Sequence, residues 1–348
     1  MSFQEIARSD MGWLDGSGSA AEIVISSRVR LARNLQGHRF AHFADPDDLH
    51  AIHREVAPRI LERAAFRGGW HLEMESCTVQ QRNYLLEKHL ISPDLARLQR
   101  QGGVIISPDL CRVVMINEED HLRVQVFQSG HSPVSTCQAA LAVDTQLEQI
   151  LDFAFHDDFG YLTACPTNLG TGFRLSVLIH LPGLVLSGEI EKILNSLRQL
   201  HFTVRGLYGE GSAVRGALFQ ISNLCTLGRS EEDLTHDFNR HVGKVIQYER
   251  QARERLLEND PVGVRDMVHR SLAILRSAHL ITAQEAFDRL SHVRMGVSLG
   301  LLSAIPMVVL NNALVRMQAA HIQVLKGRPI KGRDRSAARA EYLRRLLS

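Results

Sequence analysis

Apolar positions along the first two-thirds of the chain change period repeatedly. AEIVISSRVRLARN (residues 21–34) and RVVMINEEDHLRVQVF (112–127) carry β-branched residues in near alternation, and the second holds the polar turn NEED between two strand-like halves. Alternation sends successive side chains to opposite faces of a strand, so this second segment predicts an antiparallel hairpin. GFRLSVLIHLPGL (172–184), HFTVRGLY (201–208) and GALFQISN (216–223) read as further strands. Between them, DDLHAIHREVAPRILERAAF (47–66), PVSTCQAALAVDTQLEQILDFAF (133–155) and SGEIEKILNSLRQL (187–200) place apolar residues three and four apart, the spacing of a helix with one buried face. Helices alternating with mostly antiparallel strands predict an α+β fold.

After about residue 232 only helical periodicity remains, broken at Asn259-Asp260-Pro261 and at Gly296. The expected division is an N-terminal segment (1–23), an α+β catalytic-type domain (24–255) and an all-helical C-terminal domain (256–348). Within the last, MGVSLGLLSAIPMVVLNNALV (295–315) runs for 21 residues without a formal charge, about the length of a membrane span. Pro306, Asn311 and Asn312 and the absence of aromatic anchors at its ends fit a buried or interface helical pair better.

Charge and cysteines narrow the setting. The net charge of +2 hides a strongly basic end, KGRPIKGRDRSAARAEYLRRLL (326–347), suited to an anion. No aromatic platform accompanies it, so direct nucleic-acid binding is not expected. Five scattered cysteines with no CxxC and no Cys/His cluster point away from disulfides and structural zinc, toward a reducing cytoplasm. The N-terminus lacks the pattern of a secretory signal.

Arginines supply the candidate chemistry. Arg28 and Arg30 lie two apart on a predicted strand and therefore share a face. Arg123, Arg174 and Arg205 also sit in or at the ends of strands, each beside a glycine or a carboxylate. Planar guanidinium forks bind phosphates bidentately. No GxxxxGK[ST] occurs, and LGTGFR and GLYGEG miss the GxGxxG spacing, so a phosphate site here rests on arginines.

Taken in order, SSRVR, NEEDHLR, CPTNLGTGFR and RGLYGEGS resemble the motifs of the phosphagen (ATP:guanido) kinase family, in details its bacterial protein arginine kinase branch. The resemblance implies an antiparallel sheet flanked by helices. It implies ATP and Mg²⁺, with Arg28, Arg30, Arg123, Arg174 and Arg205 on the phosphates. The nucleotide-lining segments would be Ser26, Ser27, Arg28, Val29 and Arg30; Arg174, Leu175, Ser176, Val177 and Leu178; and Arg205, Gly206, Leu207, Tyr208, Gly209 and Glu210. His89 would be a further ATP contact, although its helical context beside Lys88 reads as surface. Glu119 and Glu210 would grip the guanidinium acceptor and take its proton, and Cys165 would contact it as a thiolate without forming a covalent intermediate. No protein metal ligand is expected.

Small-molecule members carry a helical domain of about a hundred residues before SSRVR, which here begins at Ser26; an open acceptor side that admits protein arginine is the expectation. The branch also implies a homodimer and a phosphoarginine-binding RDxxRA motif in the tail. Here Arg333 and Asp334 lack the second arginine in one register, while Arg335, Arg339 and Ala340 lack the acid in the other, where Ser336 stands. Implied partners are protein substrates with exposed arginine, a zinc-binding activator protein (McsA-like), a Clp ATPase and a stress-response repressor, with products marked for a Clp-type protease. A kinase for a small guanidino metabolite and a non-catalytic phosphoarginine-binding adaptor are the alternatives; the Glu119 and Glu210 pair argues against the adaptor.

Overall fold

The computed structural model describes residues 3–97, 101–206, 215–224 and 226–348. In chain order, a short helix α1 (Phe3–Arg8) and a 3-10 turn (Gly12–Leu14) precede β1 (Val24–Arg33) and α2 (Pro46–Leu61). Then come β2 (Trp70–Glu73), α3 (Val79–Glu87), α4 (Pro93–Arg97), β3 (Gly103–Ile106), β4 (Arg112–Ile116), β5 (Leu122–Ser129) and α5 (Pro133–Glu148). A small hairpin, β6 (Phe155–His156) and β7 (Gly160–Tyr161), leads through a second 3-10 turn (Pro166–Asn168) to β8 (Phe173–His180). After α6 (Pro182–Leu186), α7 (Ile190–Gln199), β9 (Phe202–Arg205) and β10 (Leu218–Asn223), the rest is helical: α8 (Glu231–Asn259), α9 (Pro261–Ser277), α10 (Ala283–Ser298), α11 (Met307–Arg316), α12 (Ala319–Lys326) and α13 (Gly332–Leu347).

Eight strands form one antiparallel sheet in the order β2-β3-β4-β5-β1-β8-β10-β9, with β1 at its centre. The alternation of the sequence separates its faces. Val29, Leu31, Val124, Val126, Leu175 and Val177 point to one side, fully or almost fully buried in a core shared with α2, α5, α7 and α8. The other face is mixed: apolar toward its ends, where Ile25, Phe127, Met115 and Leu218 join Trp13 and helices α9, α10, α11 and α13 in a second core, and polar at its middle.

Local chemistry sets the helix ends. Asp45 caps α2 by accepting from Asp48 N, Thr78 and Gln81 form a reciprocal capping box on α3, and Ser230 begins α8 ahead of three acidic residues. Each satisfies amide donors that a helix N-terminus leaves unpaired, and the acids oppose its positive dipole end. Helix α8 runs unbroken past residue 255; Asp260 then ends it and caps α9 through Gly263 N at 2.8 Å. The uncharged stretch 295–315 is the end of α10, a connection and α11, and among the described residues no helix is long and apolar enough to cross a membrane.

Buried arginines bind the helical part to the sheet. Arg294 of α10 donates to the carbonyls of Ala21 and Glu22, to Asn311 Oδ1 and to His180 Nδ1. Arg253 of α8 pairs with Glu249 and donates to the His180 carbonyl and to Ser298 Oγ.

Candidate active site

Strand register turns the polar middle of the sheet into rows. At one end Arg123 lies opposite Ala32; the next row runs Gln125, Arg30, Arg174; the next Phe127, Arg28, Ser176, Ser222, Thr203; the last Ser129, Ser26, Leu178, Gln220, Arg205. Neighbours within a row stand about 5 Å apart and rows about 7 Å, so Arg28, Arg30, Arg123 and Arg174 crowd one patch, with Arg205 at its far corner.

The patch is held largely by neutral groups. Arg174 donates to Thr203 Oγ1 at 3.0 Å and to Ser222 Oγ at 3.2 Å, and those two hydroxyls bond each other at 2.6 Å. Arg28 donates to Ser176 Oγ at 3.3 Å and lies over the Phe127 ring. Arg30 has no hydrogen-bond or ion-pair partner among the described residues; burial first, then the neighbouring Arg28, Arg123 and Arg174, pull its pKa well below that of an ordinary guanidinium, against a weaker pull from Glu118. Burial and the Arg174 and Arg123 charges bring Arg28 down to about 9. Like charges in a desolvated cluster cost free energy until an anion arrives.

The carboxylates stand at the Arg123 end. The tip of the β4–β5 hairpin is NEED: Asn117, with φ +55°, ties the turn to the carbonyls of Leu49 and Gln101, and Asp120 accepts from Asn34 and from Ala164 N. Glu118, buried, and Glu119, partly exposed, each meet Arg123 at 2.8 Å. Glu118 also accepts from Ser92 Oγ and from Glu119 N. Sequence reasoning singled out Glu119 and missed Glu118, because two adjacent glutamates in a turn differ only in which one the fold turns inward.

Cys165 opens the neighbouring loop, its Sγ 3.0 Å from Thr167 Oγ1. The glycines of this loop are required by space. Gly170 (φ +103°) and Gly172 (φ +62°) adopt conformations that L side chains avoid, and a Cβ would come within 2.7 Å of Thr226 O and 2.6 Å of Ala32 O respectively. Thr226 Oγ1 stitches the loop by donating to the carbonyls of Thr167 and Leu169.

At the opposite end of the patch a small pocket is lined by Trp13, Ser26, Arg28, His89, Phe127, Ser176, Leu178 and Gln220. Trp13 stacks on Phe127 and meets the His89 ring edge-on. The expectation of a surface histidine fails for a backbone reason: His89 follows the end of α3 with φ +59°, which turns its ring inward, while Lys88 buries its ammonium on the carbonyls of Ile6 and Ser9. Burial and the Arg28 charge hold His89 at about 3, so the ring is neutral. Trp13, Phe127, Gln125, Gln220, Thr203 and Ser222 complete the site without any sequence motif to announce them.

Some expected contacts fall elsewhere. Val29, Leu175 and Val177 point into the opposite core, and Ser27 Oγ donates to Gly130 O on that side, so the arginine face is reached by Ser26, Arg28, Arg30, Arg174, Ser176 and Leu178 instead. Gly206 follows β9; Leu207, Tyr208, Gly209 and Glu210 lie outside the described residues. On α13, Arg333 and Asp334 are exposed in the first turn, Arg335 is half-buried and Ala340 is buried. Arg339 is buried, donating through Nε to Met317 O at 2.8 Å and through Nη1 to Ile281 O at 3.1 Å. Among the described residues no group of three or more His, Cys, Asp or Glu is placed to hold a metal ion.

Comparison with known proteins bears on this arrangement. Residues 60–252 match the model of the ATP:guanido phosphotransferase C-terminal catalytic domain, and residues 261–348 that of the protein-arginine kinase McsB C-terminal domain. The protein-arginine kinase of Bacillus cereus (strain G9842) is 40% identical over 338 residues, covering 97% of this chain and 95% of its own. The chain belongs to the ATP:guanido phosphotransferase family, in its protein-arginine kinase branch. The protein-arginine kinase of Halothermothrix orenii is 39% identical over the whole of both chains. The duplicated taurocyamine kinase of Schistosoma mansoni, solved with bound transition state analog components, shares the fold at a TM-score of 0.60 and 24% identity, over 72% of this chain and 36% of its own. The fold of the sheet domain and the helical C-terminal part of this kinase thus match its family.

Proposed function

We propose that the kinase transfers the γ-phosphoryl group of ATP to the guanidinium of arginine side chains in proteins, with the rows of the sheet setting the direction of the nucleotide. The base enters the pocket of Trp13, His89 and Phe127. The phosphates cross Arg28, Arg30 and Arg174, with Arg123 and Arg205 at the flanks, and the γ-phosphoryl group is presented toward Glu119, Cys165 and Glu210. Mg²⁺, when bound, would supply charge neutralisation to the phosphates beside these arginines. The observation that supports the reading most is the cationic patch itself, in which Arg28 and Arg30 touch no carboxylate among the described residues, an arrangement that a polyanion relieves.

Acceptor chemistry follows from charge. Guanidinium has a pKa above 12, so its proton leaves only as the N–P bond forms, and a carboxylate fixed beside the nitrogen receives it then. Glu119 sits on a hairpin held at Asn117 and Asp120, which fixes the acceptor in line with phosphorus. From the family resemblance we extend the proposal to homodimers whose products mark proteins for a Clp-type protease under stress, with a zinc-binding activator. A phosphoarginine-sensing role for α13 would rest on Arg335 rather than Arg339.

Glu119→Gln tests the core of the proposal. Transfer to a protein substrate should fall by about a thousand-fold or more, while ATP affinity changes no more than a few-fold, because Glu118 still holds Arg123. Retained transfer would overturn the assignment; it is measured by ³²P incorporation under acid-free handling, with calorimetry for the nucleotide.

A further inference from the structure

Two loops flank the hairpin that carries Glu119, and both are fastened to the two residues that follow it. Leu35 N donates to His121 Nδ1 at 3.0 Å, and His121 Nε2 donates to Arg39 O at 2.8 Å. Asp120 holds Asn34 on one side and Ala164 N on the other, and Gln36 N bonds Asp152 O while Ala154 N bonds Asn34 O. Their bases are thus rigid and shared with the catalytic hairpin.

Their tips are not covered. Phe43 is 72% exposed on the first loop, and Phe155 and Phe159 are 54% and 49% exposed on the β6–β7 hairpin. His42 packs on Phe43, Phe155 on Tyr161 and His156 on Phe159, so the rings are ordered among themselves while remaining open to solvent. Asp157 and Asp158 stand exposed between Phe155 and Phe159, and Asp45 and Asp47 follow Phe43. Between Arg123 and Arg174 the chain contains no lysine or arginine at all, although Asp144, Glu148, Asp152, Asp157 and Asp158 fall in that span. The exposed acids in and beside these two loops, Asp45, Asp47, Asp152, Asp157 and Asp158, outnumber their one exposed arginine, Arg39, while Asp144 is buried against Arg33.

We propose that these loops form a docking rim for the polypeptide around the target arginine, selecting segments with basic and apolar residues beside it. This rests on the assignment of Glu119 to the acceptor end. Charge complementarity fixes the occupant: an acidic rim repels nucleic acid and anionic membranes and attracts cationic chain, and rigid exposed aromatics bind apolar side chains with little loss of their own freedom. An exposed rim also suits unfolded or loosely held segments, which can lay flanking residues across both loops.

The experiment uses two matched nonapeptides with one central arginine, one flanked by lysine and leucine and the other by glutamate and serine, assayed with the full chain. Wild type should favour the basic peptide in kcat/KM by about ten-fold, less at high salt. Asp157→Lys/Asp158→Lys should abolish or reverse that ratio with ATP affinity unchanged. Phe155→Ser/Phe159→Ser should raise KM for the basic peptide several-fold with kcat retained. Equal ratios in wild type and the lysine variant, or loss of turnover of both peptides together, overturn the rim. Glu119→Gln in parallel separates the two readings: if it keeps turnover while the lysine variant switches the ratio, the acceptor assignment fails and the rim stands.

Discussion

Two populations of arginine, one buried and one half-buried on the sheet, share this molecule, and their partners tell them apart. Arg33 gives Nε and Nη2 to Asp144 and Nη1 to the carbonyls of Ala32 and Thr171; Arg253 has Glu249; Arg294 bonds two carbonyls, an amide and His180. Among the described residues, Arg28 at the centre of the sheet has hydroxyl and amide company and Arg30 has none. Burial of arginine is therefore no sign of function by itself. What marks a site is burial with donors left over and no counter-charge, because the fold then carries a repulsion that only a ligand removes.

Substitution at the two kinds of arginine should part activity from stability. Arg30→Met removes a charge that already repels its neighbours, so unfolding free energy should stay level or rise. Phosphoryl transfer should nonetheless fall by about a thousand-fold, the loss typical of a cation that stabilises a transferring phosphoryl group. Urea unfolding and initial rates on the same preparation check both halves; a destabilised variant would show that Arg30 belongs with the structural population. Asp144→Asn should do the converse. It leaves the buried Arg33 charge without its anion and should cost about 3 kcal/mol of stability, with kcat nearly unchanged at temperatures where the protein stays folded. A transfer defect in the folded variant would break the distinction.

Part of this contrast was legible in the chain. The alternation in SSRVR put Arg28 and Arg30 on one face, and NEED between two strand-like halves placed Glu119 at a hairpin tip. Pairing across more than 140 residues was not legible: nothing local says that Arg30 lies opposite Arg174, since that register is set by the whole sheet. Arg33 reads as one more strand arginine, and only the packing of α5 shows that Asp144 neutralises it. The helical pattern of 133–155 carried on too far, because Ile150 to Phe155 keeps an apolar spacing although α5 stops at Glu148 and the chain turns into the β6–β7 hairpin. Strands β2 and β3, of four residues each, are too short for a period to register. Trp13 and His89 reach the pocket beside Arg28 through a 3-10 turn and a left-handed residue, neither of which has a repeating pattern.

Burial acts on histidine too, with the smallest effect. His121 is fully buried beside the β4–β5 hairpin, and its neighbours fix a neutral ring: Nδ1 accepts from Leu35 N, so the proton is on Nε2, which donates to Arg39 O. Burial foremost, and His38 at its edge, push its pKa down to about 4, against the opposing bond to Arg39 O. An unfolded chain holds histidine near 6.5, so as pH falls the unfolded state takes up the proton first. The stability that neutral His121 contributes is then complete above about pH 6.5 and is lost as pH falls toward 4, at about 1.4 kcal/mol per unit. His121→Gln, which cannot titrate, should be less stable than wild type at pH 7.5 but lose less on acidification, the gap narrowing by roughly 1 kcal/mol between pH 6.5 and 5.5. Urea titrations at pH 7.5, 6.5 and 5.5 decide it. Parallel pH dependences in the two proteins would mean that the folded ring titrates normally, and that burial beside this hairpin does not exclude charge.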